Sequence, residues 1–181
     1  METVIQQISQ LTLQDAGKCD STFTVDAQLI LSAQNNLVQF DIVPVPPYQK
    51  QYPAEAIAFN AYVNHPNQTV FLAYVDGLIA GQIRLRRNWN QFAYIEDLVV
   101  ATPFRRRGLG RALIQTAIQW AKARRLPGLM LETQNNNVAA CRLYQTCGFE
   151  LSGFDRLLYQ GVNPGTPEVA LYWYLTFGSV Q

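Results

Sequence analysis

The stretch Arg105-Arg106-Arg107-Gly108-Leu109-Gly110-Arg111-Ala112 is the most informative part of this sequence. It stands between an apolar stretch that ends at Val100 and a helical pattern that begins at Leu109. Basic side chains in the first turn of a helix oppose the helix dipole, which favours acidic residues there. Backbone N–H groups at a helix start bind phosphate, and glycine lets a ligand approach the backbone closely. The stretch therefore predicts an anion-binding turn, and a glycine-containing turn with a solvated basic cluster is the alternative.

Two other phosphate-binding loops fit this stretch poorly. A Walker A loop needs Lys and then Ser or Thr after its last glycine, whereas Gly110 is followed by Arg-Ala. A Rossmann fingerprint needs a third glycine or alanine at Leu113 and begins directly after its strand, whereas residues 101–107 intervene here. Because Glu132 lies at about the distance of a ribose-binding carboxylate, a dinucleotide site remains the weaker alternative.

The residues on either side carry alternating strand and helix patterns. Apolar residues at helical spacing predict a helix over 109–125, which Pro127-Gly128 ends. The other predicted elements are strands over 70–75 and 78–85 joined by an Asp76-Gly77 turn, strands over 92–100, 129–133, about 149–159 and 169–177, and a helix over about 137–147 that is capped by Asn136 or Asn137 and ended by Gly148. This order predicts an α+β fold around one largely antiparallel sheet.

The first fifty residues are patterned more weakly. Their best strand candidates are Thr22–Val25 and Leu37–Val43, and the proline cluster Pro44–Tyr48 predicts a surface loop. Since no linker or repeat divides the chain, we expect a single domain over residues 1–181, with its motif-bearing core at about 70–177.

Composition excludes several classes of protein. The chain has 181 residues, 49% of them hydrophobic and 12% aromatic, so it is rich enough in apolar residues to form a core. Its net charge of +1 argues against a nucleic-acid coat protein or a polybasic membrane binder. The cysteines, Cys19, Cys141 and Cys147, are odd in number, which argues against a disulfide framework, and too widely spaced for the Cys-x-x-Cys or Cys/His cluster of a zinc site. With neither a signal peptide nor a long apolar run, we expect a soluble cytoplasmic protein without a metal.

Two motifs together resemble the GNAT superfamily of N-acetyltransferases. The first is Arg-x-x-Gly-x-Gly at 105–110, after a strand that ends in Leu98-Val99-Val100. The second is Asn137-x-x-Ala140-x-x-Leu143-Tyr144-x-x-x-Gly148-Phe149. Their order and spacing match the superfamily over residues 94–149. The resemblance implies the GNAT fold, which is α+β with a mixed central sheet, splayed central strands and flanking helices, and direct transfer of the acetyl group of acetyl-CoA to an amine.

A closer resemblance is to the streptothricin acetyltransferases, and it runs from about residue 70 to the end. It is carried by Ile95-Glu96, Leu131-Glu132-Thr133-Gln134-x-Asn136-Asn137, Ala140-Cys141, Cys147-Gly148-Phe149 and Ala170–Tyr174, with a weaker echo in Pro47-Tyr48-x-Lys50. It implies a small-molecule substrate with a primary amine, such as the β-lysine amines of streptothricin. A protein or peptide N-acetyltransferase and a non-catalytic acyl-CoA-binding module are the alternatives. We expect no nucleic-acid or membrane partner, and a homodimer is left open.

The resemblance also implies which residues bind acetyl-CoA. The backbone of the strand at 98–100 pairs with the pantetheine arm, the arginine-glycine turn holds the pyrophosphate, and the second helix borders the thioester. These residues are Leu98, Val99, Val100, Arg105, Arg106, Arg107, Gly108, Leu109, Gly110, Arg111, Asn137, Ala140 and Tyr144. A plain helix cap is the alternative for Asn137, and a core aromatic is the alternative for Tyr144.

Acetyl transfer to an amine needs a base for the ammonium, a donor for the oxyanion and an acid for the thiolate. The resemblance implies that Tyr144 is the acid and that a backbone N–H near Leu98 is the donor. Glu96 and Asp97 are the acidic residues of the central strand, and alternation places them on opposite faces unless a bulge intervenes. Glu96, which the streptothricin acetyltransferases match, is the favoured base, directly or through water. A salt bridge is the alternative for either acid.

Overall fold

The computed structural model describes residues 2–52 and 56–178, which form two compact units. The first unit contains residues 2–22, 51–52, 56–129 and 177–178, and the second contains residues 23–50 and 130–176. The strands are β1 (Thr3–Gln7), β2 (Phe23–Gln34), β3 (Leu37–Lys50), β4 (Gln68–Val75), β5 (Leu78–Arg87), β6 (Ala93–Val100), β7 (Gly128–Gln134), β8 (Glu150–Asp155) and β9 (Ala170–Thr176), and the helices are α1 (Leu109–Ala123) and α2 (Val138–Thr146). The prediction of a single domain stays a prediction.

The first unit is an antiparallel sheet with α1 packed on one face. Its strands lie in the order β1-β4-β5-β6. The turn between β4 and β5 is Asp76-Gly77 with φ values of 49° and 80°, so the predicted hairpin is confirmed. A Cβ on Gly81 would come within 3.3 Å of Leu113 Cδ1 on α1. Since alternate residues of a strand share a face, Gly81, Ile83 and Leu85 lie on the side that α1 covers.

The other face of this sheet carries an apolar cluster and then a row of polar side chains. The cluster contains Ile8, Tyr62, Val70 and Leu72. Alternate residues of β5 continue this face as the polar row Gln82, Arg84 and Arg86. The face that is opposite α1 is therefore the one on which polar chemistry can take place.

The second unit combines a long two-stranded ribbon with three further strands and α2. The ribbon is the antiparallel pair β2-β3, and the other strands lie in the order β7-β9-β8. Trp173, Leu171, Leu131 and Leu29 are almost fully buried and supply much of its core. Helix α2 contacts β2.

The prediction of a surface loop at Pro44–Tyr48 is wrong, because these residues continue β3. Proline normally ends a strand because it has no N–H to donate. Here Pro44 pairs with Ala27 and Tyr48 pairs with Val25, so the residues between them form a bulge in which the ladder is interrupted. The prolines at 46 and 47 stand in that bulge and need no ladder hydrogen bond.

Both helices and most of the remaining strands lie close to their predicted positions. Strand β2, expected over Thr22–Val25, extends to Gln34, and β8, expected over about 149–159, ends at Asp155. Helix α1 ends at Ala123, two residues before the predicted end, and Arg125 has a φ of 55° that no longer fits a helix. Asn137 caps α2, and Gly148 follows it with a φ of 90°. The predicted α+β class is confirmed. Strand β1 was not predicted, since its mostly exposed residues show no apolar alternation.

Candidate active site

The turn before α1 has the geometry of an anion site. Gly108 is the residue before the helix, with a φ of 82°, and the first helical hydrogen bond runs from Ala112 N to Gly108 O at 3.0 Å. The N–H groups of residues 109–111 therefore have no acceptor within the helix. A Cβ on Gly108 would meet no atom within 4 Å, so the space beside this residue is open. Four neighbouring arginines and no acid in the first turn make the turn suitable for a phosphate group.

Arg105 braces this turn. Its Nε donates to Val100 O at 2.7 Å, and one terminal nitrogen lies 3.3 Å from Asp20 O. The guanidinium thus ties the turn to the end of β6 and to the segment before the ribbon. Arg106, Arg107 and Arg111 are exposed, whereas the Leu109 side chain is buried in the core. Of Leu109, therefore, the backbone N–H is the group suited to a ligand, and the cofactor roles of the turn stay predictions.

A β-bulge in β6 changes the expected placement of the two acids. Arg84 of β5 pairs with Asp97 and Leu85 pairs with Ile95, so the register passes over Glu96. Both carboxylates then reach side chains of the polar row on β5, which lies on one face. The expectation of opposite faces is therefore wrong, because a bulge re-aims a side chain and breaks the alternation.

Glu96 lies in an ion-pair network. Its Oε1 accepts from Arg86 Nε at 3.1 Å, and its Oε2 accepts from the Tyr62 hydroxyl at 2.8 Å and lies 4.0 Å from Arg84 Nε. Burial and the hydrogen bond to Glu96 raise the pKa of Tyr62. The salt-bridge arrangement that the sequence left open is thus present. A proton-accepting role of Glu96 stays a prediction.

Asp97 is held by a neutral group. Its Oδ2 accepts from Gln82 Nε2 at 2.7 Å, while Gln82 Oε1 accepts from Gly17 N at 2.8 Å. Burial and the charge of Asp97 raise the pKa of the Cys19 thiol to about 11. Asp97 is therefore fixed through Gln82 to the backbone at residue 17, and its catalytic role also stays a prediction.

Asn137 makes the contact expected of a helix cap, and Tyr144 makes the contacts expected of a core aromatic, which are the alternatives to their roles at the thioester. Asn137 Oδ1 accepts from Ala140 N at 3.2 Å, which is a helix-cap bond. Tyr144 is buried, with its ring centroid 5.8 Å from that of Phe149 and 6.3 Å from that of Trp173. Ala140 is half-buried between them along the helix. Packing fixes the Tyr144 ring in place, and the thioester roles of these residues stay predictions.

A polar network in the second unit was not predicted as a site. Asn136 Nδ2 lies 3.1 Å from the Tyr48 hydroxyl and 3.1 Å from Glu168 Oε1, and Lys50 Nζ bonds to Glu168 Oε1 and lies 3.3 Å from Asn136 Oδ1. Tyr48, Lys50 and Asn136 belong to the segments that carry the closer resemblance, which was the available signal. No sequence motif pointed to Glu168.

Glu132 is a second acid of this unit, which lies in a segment that carries the closer resemblance and which sequence reasoning considered as a ribose ligand only in the weaker dinucleotide alternative. It accepts a hydrogen bond from the Tyr159 hydroxyl. Burial raises the pKa of Glu132 above its ordinary value of 4.5, and the Tyr159 bond and the Lys50 charge oppose that shift. Glu132 is therefore a partly buried carboxyl group that keeps its proton to a higher pH than an ordinary glutamate does.

Neither a membrane span nor a metal cluster is found among the residues described. No helix within 2–52 and 56–178 is long and apolar enough to cross a bilayer. The same residues contain no group of three or more His, Cys, Asp or Glu side chains placed to hold a metal ion.

Comparison with known proteins identifies close relatives of the chain. The model of the acetyltransferase (GNAT) family matches residues 35–149. Streptothricin acetyltransferase A of Bacillus subtilis (strain 168) is 35% identical over 175 residues, which are 96% of this chain and 100% of that protein.

Two solved structures extend this likeness to three dimensions. A crystal structure assigned as a streptothricin acetyltransferase of Bacillus anthracis str. Ames, in complex with acetyl coenzyme A, is 44% identical with a TM-score of 0.92, and the match covers 97% of this chain and 100% of that one. The crystal structure of nourseothricin acetyltransferase is 30% identical with a TM-score of 0.81, covering 97% and 99%. The predicted fold and the predicted resemblance are confirmed.

Proposed function

We propose that this chain, which belongs to the GNAT family of acetyltransferases, acetylates a primary amine of a small molecule of the streptothricin type with acetyl-CoA. The observation that carries the proposal is the 44% identity, over 97% of the chain, to a structure assigned as a streptothricin acetyltransferase and bound to acetyl coenzyme A. The N–H groups at the start of α1 support it independently, because the pyrophosphate of that co-substrate is the kind of anion they suit.

The turn at 105–111 is proposed to hold the pyrophosphate. The N–H groups of residues 109–111 and the exposed side chains of Arg106, Arg107 and Arg111 would contact it, while Arg105 keeps the turn in shape. The backbone of residues 98–100 is the proposed partner of the pantetheine arm, and Asn137 and Ala140 are proposed to border the thioester. None of these contacts needs a metal.

The proposed reaction is a direct transfer. The acceptor ammonium gives its proton to a carboxylate of β6, its nitrogen forms a bond to the acetyl carbon, and the carbon–sulfur bond breaks. The backbone N–H near Leu98 donates to the carbonyl oxygen as that oxygen gains negative charge. The departing thiolate takes a proton from the Tyr144 hydroxyl, and the tyrosinate takes the second proton of the nitrogen, which leaves the neutral amide and restores Tyr144. Glu96 is the first candidate for the carboxylate and Asp97 is the second.

The experiment that tests this function is an acetyl-CoA turnover assay with a panel of amines. Free thiol is followed with streptothricin, polyamines, aminoglycosides and lysyl peptides, and we expect release that depends on streptothricin. Turnover with another small amine would reject the proposed substrate and keep the reaction. Turnover with lysyl peptides alone would favour a peptide acetyltransferase, and no turnover with any amine would overturn the proposal. A cytoplasmic location remains a separate prediction, and a homodimer remains open.

A further inference from the structure

The second unit contains an open cavity of about 400 Å³. That volume is sufficient for a small organic group. The cavity is bordered by β2, by the end of β3, by the residues that follow β7 and by the segment at 163–168. All of the residues that border it belong to the second unit.

The walls of this cavity are rich in carboxamides. Its side chains that can hydrogen-bond include Gln28, Tyr48, Asn135, Asn136, Asn163 and Glu168. A carboxamide offers an acceptor oxygen beside two donor hydrogens, and a tyrosine adds a ring face to its hydroxyl. This set of groups suits a ligand that both donates and accepts hydrogen bonds.

The negative charge of Glu168 at this cavity is balanced by the positive charge of Lys50. Glu168 is the carboxylate of the wall, and Lys50 Nζ bonds to its Oε1 and lies 3.3 Å from Asn136 Oδ1. A free cation would have to compete with the lysine for that carboxylate. An uncharged polar group meets no such cost, so the wall favours a neutral ligand over an ion.

The walls are held in place before any ligand arrives. Asn135 Nδ2 lies 3.2 Å from Leu29 O, and its Oδ1 accepts from Val169 N at 3.0 Å. Gln160 fixes the rim, because its side chain bonds to Thr166 O at 2.6 Å and to Gly165 N at 2.9 Å. The carboxamides of Gln28 and Asn163 take no part in these networks, so they are the groups that a ligand can engage. Preorganised walls lower the cost of binding.

We propose that this cavity binds an uncharged ring that carries hydroxyl or carboxamide groups, as a sugar unit does. The inference goes beyond the proposed function, because it concerns a binding site within the second unit alone. The Gln28 and Asn163 carboxamides bond to the ring substituents, and the Tyr48 ring, which is 47% exposed, packs against the ring.

The test is a titration of ¹⁵N-labelled protein with two matched amines, followed through the side-chain amide signals. The amines are 2-aminoethyl β-D-glucopyranoside and 2-methoxyethylamine, which differ in the presence of the neutral ring. We expect the Gln28 and Asn163 signals to shift with the glucoside and to stay unmoved with 2-methoxyethylamine. Gln28→Leu and Asn163→Ala identify the two signals, and each should weaken binding of the glucoside about tenfold.

Gln39→Leu is the matched control, because Gln39 is exposed on β3 and does not border the cavity. It should leave binding of the glucoside unchanged. Unmoved signals at saturating glucoside, absence of glucoside binding, or equal weakening by Gln28→Leu and Gln39→Leu would each overturn the cavity proposal. Shifted signals without thiol release from any amine would keep the cavity and overturn the proposed function.

Discussion

At the scale of single residues, the acids of β6 are the first point to test. Glu96→Gln removes a carboxylate that is bonded to Arg86 and Tyr62. If Glu96 is the base, kcat/KM of the variant at neutral pH falls about 10²–10⁴-fold. The midpoint of the rise of kcat/KM with pH then moves toward the pKa of the free amine. Measuring kcat/KM against pH for Glu96→Gln and Asp97→Asn separates the two roles. A full loss in Asp97→Asn with Glu96→Gln near wild type would exchange the assignments.

Because of the bulge in β6, the test of Glu96 and Asp97 needs a control variant elsewhere in the chain. Because both carboxylates reach the polar row of β5, Asp97→Asn is not an inert control. Asp41→Asn, on the exposed part of β3, serves that purpose. Glu96→Gln leaves Arg84 and Arg86 without their shared carboxylate, so we also expect a loss of about 1–3 kcal/mol in the free energy of unfolding. Reduced stability with an unchanged pH profile would mean that Glu96 is structural.

Tyr144 permits a separate test of the acid. In Tyr144→Phe the ring still packs against Phe149 and Trp173, so acetyl-CoA affinity should change little. The loss of the hydroxyl that protonates the thiolate should lower kcat about 10²–10⁴-fold. Steady-state kinetics together with a binding titration distinguish these effects. A wild-type kcat would contradict the assignment and leave Tyr144 as a core aromatic.

Glu132 should make stability depend on pH. Its pKa is higher in the folded protein than its ordinary value of 4.5, chiefly because of burial, so the folded state holds the proton more tightly. The free energy of unfolding therefore falls as pH rises from the ordinary pKa through the raised one. Glu132→Gln keeps an acceptor for Tyr159 and removes this dependence. Tm measured against pH should fall less steeply for the variant across that window, and parallel curves would contradict the prediction.

At the scale of elements, the turn before α1 should bind the co-substrate through its backbone. Saturating coenzyme A should raise Tm, since a ligand at a hundredfold excess over its Kd adds about 2.7 kcal/mol to folded-state stability. Gly110→Val places a branched side chain beside the N–H groups and should abolish the shift. Gly161→Val is the control, because its Cβ meets no atom within 4 Å in an exposed loop. If coenzyme A raises the Tm of Gly110→Val as much as that of the wild type, the proposed binding at this turn is contradicted.

The elements that were predictable from sequence are those with local signals. Helix α1 has an apolar period and a Pro-Gly stop, and the β4–β5 hairpin has Asp76-Gly77. The strand at 44–48 was missed because a bulge, which depends on the partner strand, removes the need for proline N–H groups. The bulge at Glu96 was missed because it also depends on the partner strand, which is β5 here. The site at Glu168 joins segments distant in sequence, and no local pattern encodes such a contact.

At the scale of the whole molecule, the chain builds its second unit from two separate segments, 23–50 and 130–176. Such a unit needs ties between the segments, because closing the intervening chain costs entropy. Asn135 is the clearest of these ties. Its backbone O accepts from Leu29 N at 2.8 Å and its Nδ2 lies 3.2 Å from Leu29 O, which joins the two segments, while its backbone N and its Oδ1 bond to Val169 within the second segment.

Asn135→Leu should therefore weaken the whole unit and not one strand alone. Asn135 is 5% exposed, and removal of its carboxamide leaves the backbone groups Leu29 O and Val169 N without their side-chain partner. Two such losses cost about 2–4 kcal/mol in the free energy of unfolding. Urea unfolding of Asn135→Leu should show that loss, with Asn163→Leu in the exposed rim as the control within about 0.5 kcal/mol of wild type. Equal stability of the two variants would mean that the ribbon is held by packing of its apolar face, and that the Asn135 bonds add nothing to it.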